Sequence, residues 1–321
     1  MYASLCYIFY MDKLKNKDLI SIHDLSKEEI QVILNLAKFL KGRAKKGQMP
    51  QLLKGKTLAM IFDKASNRTR VSFEVGMWQL GGLAINLDAA GLRFGIGESV
   101  PDIGRTLSRY VDGIVIRTFK HENVKDLAKN SSIPIINGLT DLSHPCQSLS
   151  DLFTIWEKKG KLRGIKIAWV GDGNNVCHSL LNAASKMGME MIAACPKRYE
   201  PDPKVMKVVY EDAKRSKAVI SVINDPQDAV AFADVIYTDV WTSMGQEKEK
   251  EKRKKAFRGF QVNFDLINRA KKDVIVMHCL PAHRNEEITD DVMDSKYSVV
   301  FDQAENRLHV QKAILALLME N

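Results

Sequence analysis

Ser66-Asn67-Arg68-Thr69-Arg70 gathers two hydroxyls and two guanidinium groups into five residues. The hydroxyls can donate hydrogen bonds, and the guanidiniums are planar forks that match the oxygens of a phosphate. The apolar run Thr57-Leu58-Ala59-Met60-Ile61-Phe62 precedes the motif and reads as a buried strand. After it, Phe73, Met77 and Leu80 recur at i, i+4 and i+7, the period of one helix face. The motif therefore sits at a strand-to-helix junction, where the unpaired N–H groups of a first turn already favour an anion. A capped helix with two solvated arginines would carry the same letters, so the motif gains meaning from its company.

Further groups along the chain can do chemistry. Arg117 ends the apolar run Gly113-Ile114-Val115-Ile116, where a parallel strand points its C-terminal end at ligand. His144 and Gln147 are three apart around Pro145, which is tolerated as a first helical residue; both side chains could then face one ligand. Asp239-Val240-Trp241-Thr242-Ser243-Met244-Gly245 follows an apolar run, and its carboxylate can pair with an ammonium group while the glycine lets the loop hinge. Met277-His278-Cys279-Leu280-Pro281-Ala282 ends another strand-like run. Adjacent strand residues point to opposite faces, so His278 and Cys279 are not expected to share a metal, and no other His/Cys spacing suits zinc. No metal is predicted.

Ile167-Ala168-Trp169-Val170-Gly171-Asp172-Gly173 is a strand followed by G-x-G, part of a dinucleotide fingerprint. It keeps a nicotinamide-dependent Rossmann oxidoreductase as a rival class. Against it, the third glycine position is Val176, and the next strand ends Ala194-Cys195-Pro196 without an acidic residue for a ribose.

Taken together and in this order, the Ser66, His144, Asp239 and His278 motifs resemble the aspartate/ornithine carbamoyltransferase family, from about Leu19 to the C-terminus. The last two look like its ornithine branch, since an aspartate-specific member is expected to lack the Ser-Met-Gly loop and the His-Cys-Leu-Pro strand end. The resemblance implies transfer of a carbamoyl group from carbamoyl phosphate to L-ornithine, giving L-citrulline and phosphate without a cofactor. It implies that Ser66, Asn67, Arg68 and Thr69 bind the phosphate, and that Arg117 serves phosphate and carbamoyl oxygen. It further implies that His144, Gln147 and Arg307 reach the carbamoyl group, Arg307 lying in Glu305-Asn306-Arg307-Leu308-His309. For ornithine it implies Asn175, Asp239, Ser243, Met244, Cys279 and the Leu280 carbonyl. The side-chain amine titrates near 10.4 by analogy with lysine, so it must lose a proton before attack. Cys279 and Asp239 are candidates to assist, and the acceptor is left open.

The family pattern Gln-Leu-Gly-Arg-Gly-Glu-Ser reads Arg93-Phe94-Gly95-Ile96-Gly97-Glu98-Ser99 here. Arg93 thus replaces a glutamine that reaches a neighbouring subunit's carbamoyl phosphate, and an arginine could still approach a phosphate. Asn67 stands where threonine or a larger side chain is common. The resemblance implies a homotrimer or a multiple of trimers. A carbamoyltransferase for another amine such as putrescine is the nearest enzyme rival, though it would have no use for Asp239 and Asn175 on an amino-acid head group.

The bulk properties exclude several classes. No apolar run approaches the roughly 18–20 residues of a membrane helix. Five cysteines, an odd number without C-x-x-C spacing, argue for a reducing compartment, taken as the cytoplasm. The net charge of +9 raises nucleic acid as a partner, but the lysines are spread along the chain. The densest run, Glu247 to Lys255, alternates in sign and reads as a solvated helix or loop. A nucleic-acid binder would also leave Arg68, Arg117 and His144 unexplained.

The elements that must position these groups follow an alternating pattern. Ser26 with Glu29 forms a capping box before an apolar stripe at Ile30, Ile33, Leu34, Leu36 and Ala37. Strand-like runs at Leu58–Phe62, Leu83–Leu87, Gly113–Ile116 and Pro134–Asn137 are separated by helical stretches. A second series comprises Lys166–Val170, Met191–Ala194, Val235–Tyr237, Val274–Met277 and Val299–Phe301. The alternation predicts an α/β chain of two domains, each a parallel sheet flanked by helices. The expected divisions are a disordered extension at residues 1–10, a carbamoyl phosphate domain at 11–150 and an ornithine domain at 151–305. Residues 306–321 are expected to form a C-terminal helix returning to the first domain. Gln147 to Trp156 reads as the joining helix and Lys158-Lys159-Gly160-Lys161 as linker surface.

Overall fold

Unbroken apolar runs, rather than alternating ones, set the architecture. Every residue of Gly113–Arg117 and of Ile135–Leu139 is buried, as strands covered on both faces require. The computed structural model describes Leu14 and residues 17–63, 66–88 and 97–320. The extension expected at residues 1–10, and Arg93, lie outside the described residues. The chain forms two compact units, one running up to Phe153 and resuming at Glu305, the other spanning Thr154–Ala304.

In the first unit, β1 (Thr57–Phe62), β2 (Leu83–Asp88), β3 (Gly113–Arg117) and β4 (Ile135–Leu139) are parallel in the order β2-β1-β3-β4. Helices Asn67–Gln79, Val100–Leu107 and His121–Asn130 lie between successive strands in the chain, as parallel pairing demands. Ile61, Ile103, Ile114, Ile116, Val124 and Leu127 form part of one core cluster. The capping box at Ser26 is present: its hydroxyl accepts from the Glu29 N–H at 3.1 Å, and its own N–H donates to Glu29 Oε2 at 2.7 Å.

The second unit holds β5 (Lys166–Val170), β6 (Glu190–Ala194), β7 (Val219–Ile223), β8 (Val235–Thr238) and β9 (Ile275–His278). They are parallel in the order β7-β6-β5-β8-β9. Trp169 and Tyr237 stack at 5.1 Å across β5 and β8, and Val170, Ile236, Phe257 and Val276 belong to the core.

Both sheets reverse their strand order beside the first strand laid down. In the first, the chain moves from β1 to β2 and then returns to the other side of β1; in the second it moves from β5 out to β7 and returns at β8. Such a reversal opens a crevice at the C-terminal strand ends, where ligands bind in α/β sheets. Phe62 pairs with Arg117 at one reversal and Val170 with Thr238 at the other. Ser66 and Arg117 thus flank the first crevice, and Asn174, Asn175 and Asp239 the second.

Three local readings change. Val299–Phe301 is not a strand: only Ser298 makes an isolated bridge, to Val276, and Val300 opens the helix Val300–Met319. A three-residue apolar run has no period of its own, and here it begins an apolar helix that buries Val310, Ala313, Ile314 and Leu317. The strand β7 was missed because it lies at the sheet edge, with Val219 exposed and Ser221 interrupting the pattern. Lys158 and Lys159, read as linker, close the helix Pro145–Lys159 and pair with Asp302 and Asp273, each at 3.0 Å. Among the described residues, no helix is long and apolar enough to cross a membrane.

Candidate active site

The first cluster lies entirely in the first unit. Ser66 caps the helix Asn67–Gln79, its hydroxyl accepting from the Thr69 N–H at 3.3 Å, a preferred device at a first turn. Asn67 and Arg68 are exposed on that turn, while Thr69 is buried. The Thr69 hydroxyl accepts from Arg117 Nη1 at 3.3 Å and from Arg307 Nη2 at 3.2 Å. With both lone pairs engaged, its remaining capacity is to donate. Arg307 Nη1 donates to Gln147 Oε1 at 2.5 Å, and Gln147 Nε2 donates to Asp151 Oδ1 at 2.8 Å.

His144 directly precedes Pro145, the first residue of the helix Pro145–Lys159, and is buried. Burial, reinforced by the positive charges of Arg307, Arg117 and Arg68, drives its ring well below the usual histidine range. It is therefore a neutral imidazole at neutral pH, able to donate from one nitrogen without adding charge. Thr69, Arg117, His144, Gln147 and Arg307 share one buried, positively charged environment beside half-buried Ser66, suited to a compact dianion and its carbonyl.

The second cluster lies in the second unit and centres on Asp239, which is 6% exposed. Its Oδ2 accepts from Asn174 Nδ2 at 2.7 Å; its Oδ1 accepts from the Val240 N–H at 2.8 Å and from Cys279 Sγ at 3.0 Å. The carboxylate is held by three donors. Asn175 is the first residue of the helix Asn175–Met187 and is half-buried. Ser243 is half-buried, and Met244 is 49% exposed. Leu280 adopts a left-handed φ of +61° just past β9, and its N–H donates to His278 Nδ1 at 2.8 Å.

The expectation that His278 and Cys279 point apart needs correction. Cys279 lies beyond the last residue of β9, so strand alternation does not govern it. One ring nitrogen of His278, the Cys279 sulfur and an Asp239 oxygen fall within 4.8 Å of one another. The ring is nevertheless committed, because Nδ1 accepts from Leu280 and Nε2 donates to Glu287 Oε1 at 2.9 Å. No lone pair of His278 is left for a cation.

Residues 17–157 match the family profile described as "Aspartate/ornithine carbamoyltransferase, carbamoyl-P binding domain". Residues 163–318 match the one described as "Aspartate/ornithine carbamoyltransferase, Asp/Orn binding domain". An ornithine carbamoyltransferase from Pyrococcus horikoshii is 57% identical over 306 residues, 95% of this chain and 96% of its own length. The chain belongs to the aspartate/ornithine carbamoyltransferase family. The solved ornithine carbamoyltransferase of Pyrococcus furiosus superimposes with a TM-score of 0.93 at 56% identity, covering 95% of this chain and 98% of that one. The Gloeobacter violaceus enzyme gives 0.84 at 46% identity, with 94% and 98% covered.

Family membership fits what occupies the G-x-G turn. A Cβ on Gly173 would lie 2.3 Å from the Pro201 nitrogen and 2.4 Å from the Glu200 carbonyl carbon. The Gly173 N–H donates to the Tyr199 carbonyl at 2.8 Å. This glycine admits the close approach of the Tyr199–Pro201 backbone, which a side chain would block.

Two side chains of this carbamoyltransferase take roles that sequence reasoning did not assign. Asn174 caps its helix by accepting from the Val176 and Cys177 N–H groups at 3.0 and 3.1 Å while its amide holds Asp239. Its position between a strand and a helical run was the available signal. Arg253 lies in the charged run read as solvated, yet it is 6% exposed and paired with Asp172 at 3.0 Å. It is the one arginine of Glu247 to Lys255, and arginine is the cation that tolerates a buried fork. Burial pushes the Asp172 carboxyl up to about 6, against the pull of Arg253.

Proposed function

We propose that this chain transfers the carbamoyl group of carbamoyl phosphate to the side-chain amine of L-ornithine, giving L-citrulline and phosphate. In this reading the first cluster takes carbamoyl phosphate. Ser66, Asn67, Arg68 and Thr69 bind the phosphate at a helix start, where free N–H groups and the dipole favour a dianion. Arg117, Arg307 and neutral His144 face the carbamoyl oxygen, and Gln147 the carbamoyl amide. Attack by the amine gives a tetrahedral intermediate with charge on that oxygen. Guanidiniums and an imidazole N–H already in place stabilise it, and such preorganised donors usually supply the largest share of the rate enhancement in acyl-type transfer. Collapse breaks the carbon–oxygen bond to phosphate, and the phosphate leaves.

The choice of acceptor rests on one observation: Asp239, held by the Asn174 amide and the Cys279 thiol, is a fixed anion suited to an amino-acid head group. It pairs with the α-ammonium. Asn175 and the loop through Ser243 and Met244 take the carboxylate and cover the substrate. Cys279 and the Leu280 carbonyl face the reacting amine. The working unit in this reading is a homotrimer in the cytoplasm, serving arginine metabolism. Its support is an apolar face of the first unit: Val71 and Trp78 on the helix Asn67–Gln79, with Leu83 and Ile85 on edge strand β2, are all exposed.

Citrulline formation by the purified chain tests the assignment, with putrescine and aspartate as parallel acceptors and Arg68→Ala and Cys279→Ala as controls. Activity with ornithine alone, strongly reduced in Arg68→Ala, is expected. Preference for putrescine would overturn the role given to Asp239 and Asn175, and absence of product from folded protein would remove the transferase reading. Light scattering during gel filtration tests the trimer, and a monomer would refute it.

A further inference from the structure

The turn that delivers His144 is closed by a hydroxyl. It runs from the end of β4 at Leu139 to the helix Pro145–Lys159. The Thr140 N–H donates to the Ser143 carbonyl at 2.8 Å, and the Ser143 N–H donates back to Thr140 Oγ1 at 3.2 Å. His144 follows directly, so this turn sets where its imidazole starts. Thr140 and Ser143 are buried, and so is Asn137, whose Nδ2 reaches the Ser143 carbonyl at 3.5 Å.

A second imidazole meets the same hydroxyl. His121, the half-buried first residue of the helix His121–Asn130, places Nδ1 2.9 Å from Thr140 Oγ1. The segments also meet through the backbone, where the Asp141 N–H donates to the Phe119 carbonyl at 2.9 Å. The hydroxyl carries one hydrogen; His121 Nδ1 is the nearer acceptor, and the Ser143 carbonyl lies 3.4 Å away. That carbonyl already accepts from the Thr140 N–H and the Asn137 amide, which engages both of its lone pairs. The hydrogen therefore goes to His121, whose Nδ1 accepts while Nε2 keeps the ring proton. Such a bond needs a neutral ring. Burial, with the Lys125 charge, holds His121 below the usual histidine value against the pull of Glu122 and Asp24.

We propose that His121 is a positioning residue for the carbamoyl group, holding the Thr140 hydroxyl in the orientation that fixes the turn Thr140–Ser143 and with it the His144 ring. The inference rests on the reading of His144 as a donor to the carbamoyl oxygen.

Stability alone accounts poorly for the contact. Without His121, the Thr140 hydroxyl can swing to the Ser143 carbonyl and remain paired. That swing turns its lone pair away from the Ser143 N–H and loosens the turn one residue before His144. The proline after His144 restricts that residue's backbone, so a shift at Ser143 passes on to the ring. The folded state loses little, whereas a catalytic group displaced by about 1 Å can cost on the order of 100-fold in rate.

Steady-state citrulline formation by the full-length chain, with both substrates saturating, tests the proposal in His121→Leu, His121→Asn and Thr140→Val. Each change is also built into His144→Ala, and urea midpoints are measured alongside. His121→Leu is expected to lower kcat by roughly 10- to 100-fold, while the ornithine KM stays within about twofold. His121→Asn should stay within about threefold of wild type, because its Oδ1 takes the place of Nδ1 as acceptor. In the His144→Ala background the loss from His121→Leu should shrink to less than about twofold, the mark of a residue acting through another. An unchanged kcat in folded His121→Leu, an equal loss in His121→Asn, or a full loss that persists without His144 would overturn the inference. Should His121→Leu fail to fold, Thr140→Val decides by the same cycle, and an unchanged kcat there refutes it. A wild-type chain that makes no citrulline, or a His144→Ala variant with unchanged kcat, would instead sink the underlying reading of His144.

Discussion

Arg307 Nη2 and Thr69 Oγ1 lie 3.2 Å apart although 238 residues separate them in the chain. Arg117 Nη1 reaches the same oxygen at 3.3 Å. Two guanidiniums from distant segments are thus aligned by one hydroxyl in the first turn of the helix that opens the phosphate motif. The hydroxyl contributes orientation where charge alone would only attract.

Thr69→Val keeps the shape of the side chain and removes that acceptor. Leaving two buried donors without their partner is expected to cost about 1–3 kcal/mol, a loss of roughly 5- to 150-fold in kcat/KM for carbamoyl phosphate. The ornithine KM at saturating carbamoyl phosphate should change far less. Kinetics with each substrate varied in turn checks this, and a wild-type kcat/KM would show that the arginines orient themselves.

His144 is expected to remain neutral from about pH 6 to 8, since burial and three arginines oppose its protonation. The sign of its effect on stability follows. Its folded pKa is depressed, so below the ordinary value near 6.5 the unfolded chain binds a proton that the folded chain refuses, and stability falls as pH falls through that window. His144→Gln should lose less stability than wild type between pH 7 and pH 5 in urea unfolding. An NMR titration should show no His144 inflection near 6.5; an inflection there would refute the neutral donor.

Asn174 performs two tasks that a substitution can separate. Asn174→Ser keeps a good helix cap but drops the 2.7 Å bond to Asp239. Thermal stability should change by less than about 1 kcal/mol, while kcat/KM for ornithine falls by roughly 5- to 150-fold as the carboxylate loses its amide. Equal losses of stability and of ornithine kcat/KM would mean that Asn174 is only a cap.

Gly173→Ala places a Cβ against the Glu200–Pro201 backbone, which cannot yield as a flexible side chain would. Overpacking of this kind is expected to cost about 1–3 kcal/mol or more, read as a lower urea midpoint at unchanged slope. Titration of the wild-type chain with a reduced nicotinamide dinucleotide should show no saturable fluorescence change. Micromolar binding would restore the dinucleotide reading of the turn.

Much of the architecture was legible in the sequence because it depends on local period. The runs around Ile114, Ala168 and Ile236 read as buried parallel strands, and the capping box at Ser26 announces its helix. The chemistry-bearing motifs were legible for a related reason: Arg117, Asp239 and Cys279 stand at the ends of strand-like runs, and Ser66 follows one closely. In parallel sheets that position already directs a residue toward the ligand-binding edge. Where the local signal was ambiguous the reading failed. Val299–Phe301 is too short to have a period, and Val219–Ile223 is an edge strand that water, not the core, faces on one side.

The sequence by itself determined the two parallel α/β sheets, their motifs and the family, since these follow from near-neighbour spacing and residue type. Only the tertiary structure decided which distant groups meet: Arg307 with Thr69, Asn174 with Asp239, and Arg253 with Asp172. The reason is burial. A charged run reads the same whether its residues stay in water or one enters the core. Arg253 is buried because Tyr199, Phe257 and the Trp241 carbonyl, brought from three segments, surround the one cation whose geometry can satisfy them together.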